Sequence, residues 1–143
     1  MKILILCTGN SCRSQMAHGF LQSFDKNIEV HSAGTEPAVQ VNQRAVEVML
    51  EVSVDISQHK PKSVDKYLND EWDFVITVCD SANETCPVFP GTVKHRLHMG
   101  YEDPSHETGT EEYILTRFRS VRDLIKEGFY DFYLRNIETA KNE

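Results

Sequence analysis

Positive charge is what this chain has least of: its 143 residues carry 15 Lys and Arg against 22 Asp and Glu, a formal net charge of −7. A surface of that sign repels nucleic-acid phosphates and anionic membranes, so neither is expected as a partner. Long apolar runs are lacking as well. Ile3-Leu4-Ile5-Leu6 is far too short for a membrane span or a secretory signal, and a cytoplasmic location is expected. Internal repeats, low-complexity tracts and linker-like stretches are missing, so residues 1–143 read as a single domain, and an apolar share of 40% is enough for one packed core. Cysteine is sparse. Cys7, Cys12, Cys79 and Cys86 are the only four, and in a cytoplasmic chain they are read as catalytic or metal-binding thiols before a disulfide framework.

Against that background one segment stands out. Cys7-Thr8-Gly9-Asn10-Ser11-Cys12-Arg13-Ser14 follows directly on the apolar run. It reads as a strand that ends in a thiol, a Gly-containing loop, and an Arg at the mouth of a helix. The backbone N–H groups of Thr8 through Ser14 can converge on a tetrahedral oxyanion, Arg13 can grip two of its oxygens, and the helix start adds positive partial charge. The same field favours the thiolate of Cys7. The anion is therefore drawn by a preorganised site and not by the overall charge. A bare Cys-x5-Arg is a weak pattern, and a Cys after a buried strand is most often core. The Gly, Asn, Ser and Thr of the loop, joining strand to helix, favour function for Cys7 and Arg13, while Cys12 is read as a packing thiol.

Periodicity supplies the frame. Strands are expected at Lys2–Cys7, Ile28–Ser32, Asp73–Cys79 and Lys94–Met99. Helices are expected at Ser14–Phe24, from Asn42 through Val52 with Val46, Val48, Met49 and Leu50 as its apolar side, and briefly at Ser63–Tyr67. A long amphipathic helix is expected over Glu111–Ile137, with Ile114, Phe118, Val121, Leu124, Ile125, Phe129, Phe132 and Tyr133 inward and Gly128 as a weak point. Its charges, Arg117, Arg119, Arg122, Asp123 and Lys126, are expected on a solvated face. Strands alternating with helices imply an α/β fold with a doubly wound parallel sheet. Ligands of such sheets bind beyond the carboxyl ends of the strands, where Cys7 and Cys79 both stand.

The loop 7–14, the Ser32-Ala33-Gly34 turn and Asp103-Pro104 together resemble the low-molecular-weight protein tyrosine phosphatase superfamily over nearly the whole chain. The resemblance implies a four-stranded parallel sheet with flanking helices. It makes Cys7 the nucleophile, Arg13 the oxyanion clamp, Ser14 a hydroxyl that stabilises the thiolate, and Asn10 a residue that holds the loop. Asp103, alone no more than a turn residue, becomes the general acid that protonates the leaving oxygen.

Two features divide that superfamily. Cys79 and Cys86, in the contexts Val75-Ile76-Thr77-Val78-Cys79-Asp80 and Cys86-Pro87-Val88-Phe89-Pro90-Gly91, resemble the redox pair of the thioredoxin-coupled arsenate reductases. The aromatic wall of the tyrosine phosphatases is missing: 35–50 holds no aromatic residue, and Ser105 follows Asp103-Pro104. The resemblance thus implies arsenate as substrate, a relay through Cys7, Cys79 and Cys86, thioredoxin as partner, no cofactor, and a monomer. Residual phosphatase activity is expected because the first step is shared. A disulfide between Cys79 and Cys86 requires Cα atoms within about 7 Å, whereas a helix would hold them about 10 Å apart. A redox segment that rearranges is therefore expected over residues 80–90. A zinc site would recruit Cys7 and Cys12 away from the anion loop, so no metal is expected. Many relatives bind potassium beside the loop. Here His18 and Lys62 stand at the matching positions, and two readings of Lys62 stay open: its ammonium replaces the ion near Asn10 and Ser32, or it is a solvated surface residue. His31, His59, His95, His98 and His106 are read as structural or surface. The alternatives are a tyrosine phosphatase whose extra thiols protect the nucleophile, and a non-catalytic oxyanion-binding domain.

Overall fold

The structure, a computed structural model, describes residues 1–79 and 91–141. Four strands, β1 (Lys2–Cys7), β2 (Glu29–Gly34), β3 (Trp72–Cys79) and β4 (Val93–Tyr101), form one sheet in the order β2-β1-β3-β4. Every pairing is parallel. The helices are α1 (Arg13–Phe24), α2 (Gln43–Leu50), α3 (Glu111–Tyr133) and α4 (Thr139–Lys141), with 3-10 turns at Val64–Tyr67 and Pro104–His106.

A parallel sheet covered on both faces asks for strands that are apolar throughout. β1 meets that demand with successive residues facing opposite ways. Ile3, Ile5 and Cys7 join the larger core with Met16 and Phe20 of α1 and Phe118 and Phe129 of α3. Leu4 and Leu6 join a smaller core with Tyr67, Trp72 and Val75. Because β1 is followed by β2 on one side and paired with β3 on the other, the order reverses beside β1. Its carboxyl end is the switch point at which such sheets open a crevice.

Local signals place the helices. Asn42 caps α2, its side-chain oxygen accepting from the N–H groups of Arg44 and Ala45, and Thr110 caps α3 by accepting from the N–H of Tyr113. The expected run of α2 through Val52 is shortened to Leu50. Ser53 turns left-handed (φ 64°) and the N–H of Val54 donates back to the carbonyl of Met49, a closing bond that ends the helix. The long C-terminal helix also differs from expectation: after Tyr133 it widens into a π turn over Leu134–Glu138. The Thr139 hydroxyl takes the Leu134 carbonyl, and the Tyr133 hydroxyl donates to Glu138, five residues on in each case.

Three side chains depart from the expected pattern. Leu50 and Leu124 are exposed instead of inward. Arg122, expected in solvent, is 8% exposed; it donates to the carbonyl of Val48 and to Glu51, tying α3 to α2. Gly128 does not interrupt α3. A Cβ there would overlap the hydroxyl of Tyr101, so the missing side chain is the space that Tyr101 occupies.

Candidate active site

The loop between β1 and α1 is held from outside by its carbonyls. Those of Cys7, Thr8, Gly9 and Ser11 accept from the N–H groups of Thr35, Glu36, Ala38 and Asn42, and that of Asn10 accepts from the Gln15 side chain. In a trans peptide the N–H points opposite to the C=O. Tying the carbonyls outward therefore turns the N–H groups inward, toward a cleft of 310 Å3 lined by the loop, Asp103, Ser105 and His106. Gly34 is required for this tie. A Cβ on it would overlap the carbonyl of Thr8 and lie 3.0 Å from the nitrogen of Asn10. The first turn of α1 adds to the field, since Cys12 caps it with no side-chain hydrogen bond.

Asn10 is fully buried and left-handed (φ 49°), a conformation that Asn tolerates better than most residues. Its amide nitrogen donates to the Ser14 hydroxyl at 2.8 Å, while its side-chain oxygen accepts from Gln15 Nε2 at 3.1 Å and from the Lys62 N–H at 2.9 Å. Gln15, which sequence reasoning passed over, is thus the strut behind the loop; its position in the first turn of a helix gave no separate signal.

Arg13 is 6% exposed and aimed across the cleft. Its guanidinium donates to the Tyr101 carbonyl at 3.0 Å and lies 3.5 Å from Asp103 Oδ2. Asp103 caps the Pro104–His106 turn: its Oδ1 accepts from the Ser105 N–H and the Ser105 hydroxyl, and its Oδ2 also lies 3.4 Å from His106 Nε2. One carboxylate oxygen is thereby anchored and the other faces the loop.

Cys7 and Cys79, both buried, end the adjacent strands β1 and β3. The Cys79 sulfur lies 4.0 Å from the hydroxyl of Thr8, the residue after Cys7. Burial above all pushes the Cys12 thiol up, with the Asp103 carboxylate acting in the same sense and Arg13 against it; Cys12 therefore stays protonated, in keeping with a packing role. Cys86 and the expected redox segment at residues 80–90 lie outside the described residues. Among the described residues no group of His, Cys, Asp and Glu is arranged to hold a metal ion, and no helix is long and apolar enough to cross a membrane.

Behind the loop, His18 Nδ1 pairs with the Ser32 hydroxyl at 2.9 Å, and His59 Nδ1 pairs with Gln15 Oε1 at 2.9 Å. The two rings lie 4.6 Å apart. Lys62 reaches Asn10 through its backbone N–H, a different contact from the ammonium contact of the first reading.

The description "low molecular weight phosphotyrosine protein phosphatase" belongs to the family model that matches residues 2–142. An arsenate reductase of Oceanobacillus iheyensis is 45% identical over 124 residues, 86% of this chain and 88% of that protein. A solved arsenate reductase in its phosphate-binding state superimposes with a TM-score of 0.79 at 30% identity, covering 94% of this chain and 97% of the other. A thioredoxin-dependent arsenate reductase of Corynebacterium glutamicum superimposes with a TM-score of 0.62 at 28% identity, covering 93% of this chain and 62% of the other.

Proposed function

The chain belongs to the low molecular weight phosphotyrosine protein phosphatase family and its activity is arsenate reduction; from that premise we propose that it works by a relay of three thiols regenerated by thioredoxin. The observation that carries the reading is the placement of Cys7 and Cys79 at the ends of neighbouring strands, with the Cys79 sulfur against Thr8 of the anion loop.

Arsenate has the charge and shape of phosphate, and the loop N–H groups with Arg13 bind it. The Cys7 thiolate attacks arsenic. A sulfur–arsenic bond forms, an arsenic–oxygen bond breaks, and Asp103 delivers a proton so that water leaves. The Ser14 hydroxyl, which accepts from Asn10, steadies the thiolate with its own proton. Cys79, as thiolate, then attacks the Cys7 sulfur. The sulfur–arsenic bond breaks with both electrons remaining on arsenic, which departs as arsenite in the +3 state, and a Cys7–Cys79 disulfide is left. Cys86 attacks Cys79 and releases Cys7 as thiolate. Thioredoxin reduces the resulting Cys79–Cys86 disulfide, oxidising its own dithiol, so two electrons enter for each arsenate. The roles of Cys86 and thioredoxin rest on the sequence contexts around Cys79 and Cys86 and on the thioredoxin-dependent relative. A monomer in the cytoplasm is the form in which we expect this to occur.

No Phe, Tyr or Trp is among the described residues lining the cleft, so none of them offers a phosphotyrosine ring a face to stack on. Small activated aryl phosphates need no such platform, and slow hydrolysis of them is expected.

The test is NADPH oxidation in the presence of thioredoxin and thioredoxin reductase, with and without arsenate. Wild type should turn over only with arsenate. Cys86→Ser should release one arsenite and stop with Cys7 joined to Cys79, and Cys79→Ser should release none. Full turnover by Cys86→Ser would overturn the relay while leaving the arsenate site intact.

A further inference from the structure

A second cavity, of 210 Å3, opens behind the loop and is separate from the cleft; its lining includes His18, His31, His59, Ser32, Lys60 and Lys62, and no carboxylate. That is an unusual lining in a chain of net charge −7. Lys60 and Lys62 are exposed, and among the described residues neither has an ion-pair partner. His18 and Ser32 are hydrogen-bonded to each other, and His59 Nδ1 donates to Gln15, so the His59 ring can donate to a ligand beneath the two ammonium groups only by taking up a second proton. Two ammonium groups lining a half-open cavity, whose nearest acids are Glu29, already paired with His31, and Asp55 beside His59, favour a negative ligand over a cation. A volume of 210 Å3 exceeds the roughly 30 Å3 share of one water several-fold, which admits a halide or a small carboxylate with some hydration.

We propose that this cavity binds a small anion, a halide or the carboxylate of a small metabolite, between Lys62 and the His18–His59 pair. The site is wired to the loop. His59 holds Gln15, Gln15 holds the carbonyl and side chain of Asn10, and the Lys62 N–H holds the same side chain. An anion that pins His59 and Lys62 therefore stiffens the loop from behind without entering the cleft. It also offsets the positive charge that Lys62 sets beside the two rings. His18 faces His59, His31 and Lys62, and His59 faces Lys62 and Asp55, whose carboxylate is engaged by the Ser57 N–H. Burial and those neighbours hold both rings neutral, and a bound anion raises the proton affinity of each.

The experiment reads the two sites separately on the full chain by NMR, with His18 and His59 imidazole nitrogens for the cavity and the Gly9 amide for the loop. Sodium chloride and sodium acetate are titrated at neutral pH, with ionic strength kept constant by lactobionate, an anion too large to enter. The imidazole signals should shift saturably. Lys62→Gln should raise the half-saturating concentration by up to about fivefold, the upper worth of one exposed ion pair. Arg13→Lys, which weakens the loop, should leave it within about twofold. A response to chloride alone assigns a halide, and tighter acetate binding assigns a carboxylate; both support the site. Lys60→Gln repeats the test at a second exposed position. The proposal is overturned if the rings do not respond, if lactobionate moves them equally, or if they move only with Gly9 and lose the response in Arg13→Lys. None of these outcomes bears on the thiol relay.

Discussion

Asn10 and Ser14 are joined by a 2.8 Å hydrogen bond in which the amide donates and the hydroxyl accepts, so the buried Asn fixes which way the Ser proton can point. The same side chain accepts from Gln15 and from Lys62, and its backbone is left-handed at φ 49°. Asn10→Ala loses the hydrogen bonds and adds about 1–2 kcal/mol of left-handed strain, and the stability loss should reach roughly 2–4 kcal/mol. Asn10→Gly loses the same hydrogen bonds without adding the strain. Urea unfolding should rank wild type, Gly and Ala in that order, and single-turnover attack on arsenate should fall in both variants. Equal stability of Gly and wild type would show that the hydrogen bonds carry nothing.

Cys12 shares the cleft with Cys7 yet is expected to behave oppositely. Burial, reinforced by Asp103, keeps its thiol protonated, and a protonated thiol is a poor nucleophile. Iodoacetamide at neutral pH should label Cys7 and spare Cys12. Cys12→Ala should lose about 1 kcal/mol of stability and keep single-turnover rates within about threefold, because the loop contributes a backbone N–H at this position. Alkylation of Cys12 ahead of Cys7 in mass-spectrometric peptide mapping would refute this.

The close approach of Gly128 to Tyr101 extends to the cleft, because the Tyr101 carbonyl holds Arg13. In an exposed helix, Gly→Ala gains about 1 kcal/mol. Here the added Cβ displaces the Tyr101 ring, so Gly128→Ala should show no gain and should weaken phosphate binding at the loop by several-fold. Tyr101→Phe removes the overlapping oxygen and should restore both stability and binding in the double variant. Calorimetric phosphate titration of the four proteins checks the cycle.

What could be read from the chain was whatever one segment carries by itself. The strand-loop-helix of residues 2–24 is local, and its thiol, loop and Arg stand in the structure where the residue types put them. The parallel order followed from alternation of strands and helices. What could not be read depends on partners far away in sequence. Gln15 matters because residues 59–62 come to lie behind it. Arg122 looked like a solvated charge on its own helix, and the Val48 carbonyl of α2 and Glu51, together with the adjacent Asp123, make its burial tolerable. Gly128 looked like a flaw in a helix until β4 brought Tyr101 against it. His18 and His59 carry no spacing signal at all, being 41 positions apart by their numbers, yet their rings touch.

That pair gives the chain a definite response to acid. Burial, then the neighbouring His59, His31 and Lys62, lowers His18 from 6.5 to about 3, and burial lowers His59 against the opposing pull of Asp55. Below pH 6.5 the unfolded chain therefore binds a proton at position 18 that the folded chain refuses, so the stability it contributes is full above 6.5 and is lost as pH falls toward 3. For His18 alone the loss between 6.5 and about pH 4 is on the order of 3 kcal/mol. His18→Asn keeps a nitrogen or oxygen opposite the Ser32 hydroxyl and removes the titration. Urea unfolding from pH 7.5 down to about pH 4 should show a shallower decline in the variant by close to one proton below pH 6.5, so that the difference in stability moves in the variant's favour as pH falls. Parallel curves would mean that the ring titrates normally in the folded state and that the cavity behind the loop is open to water.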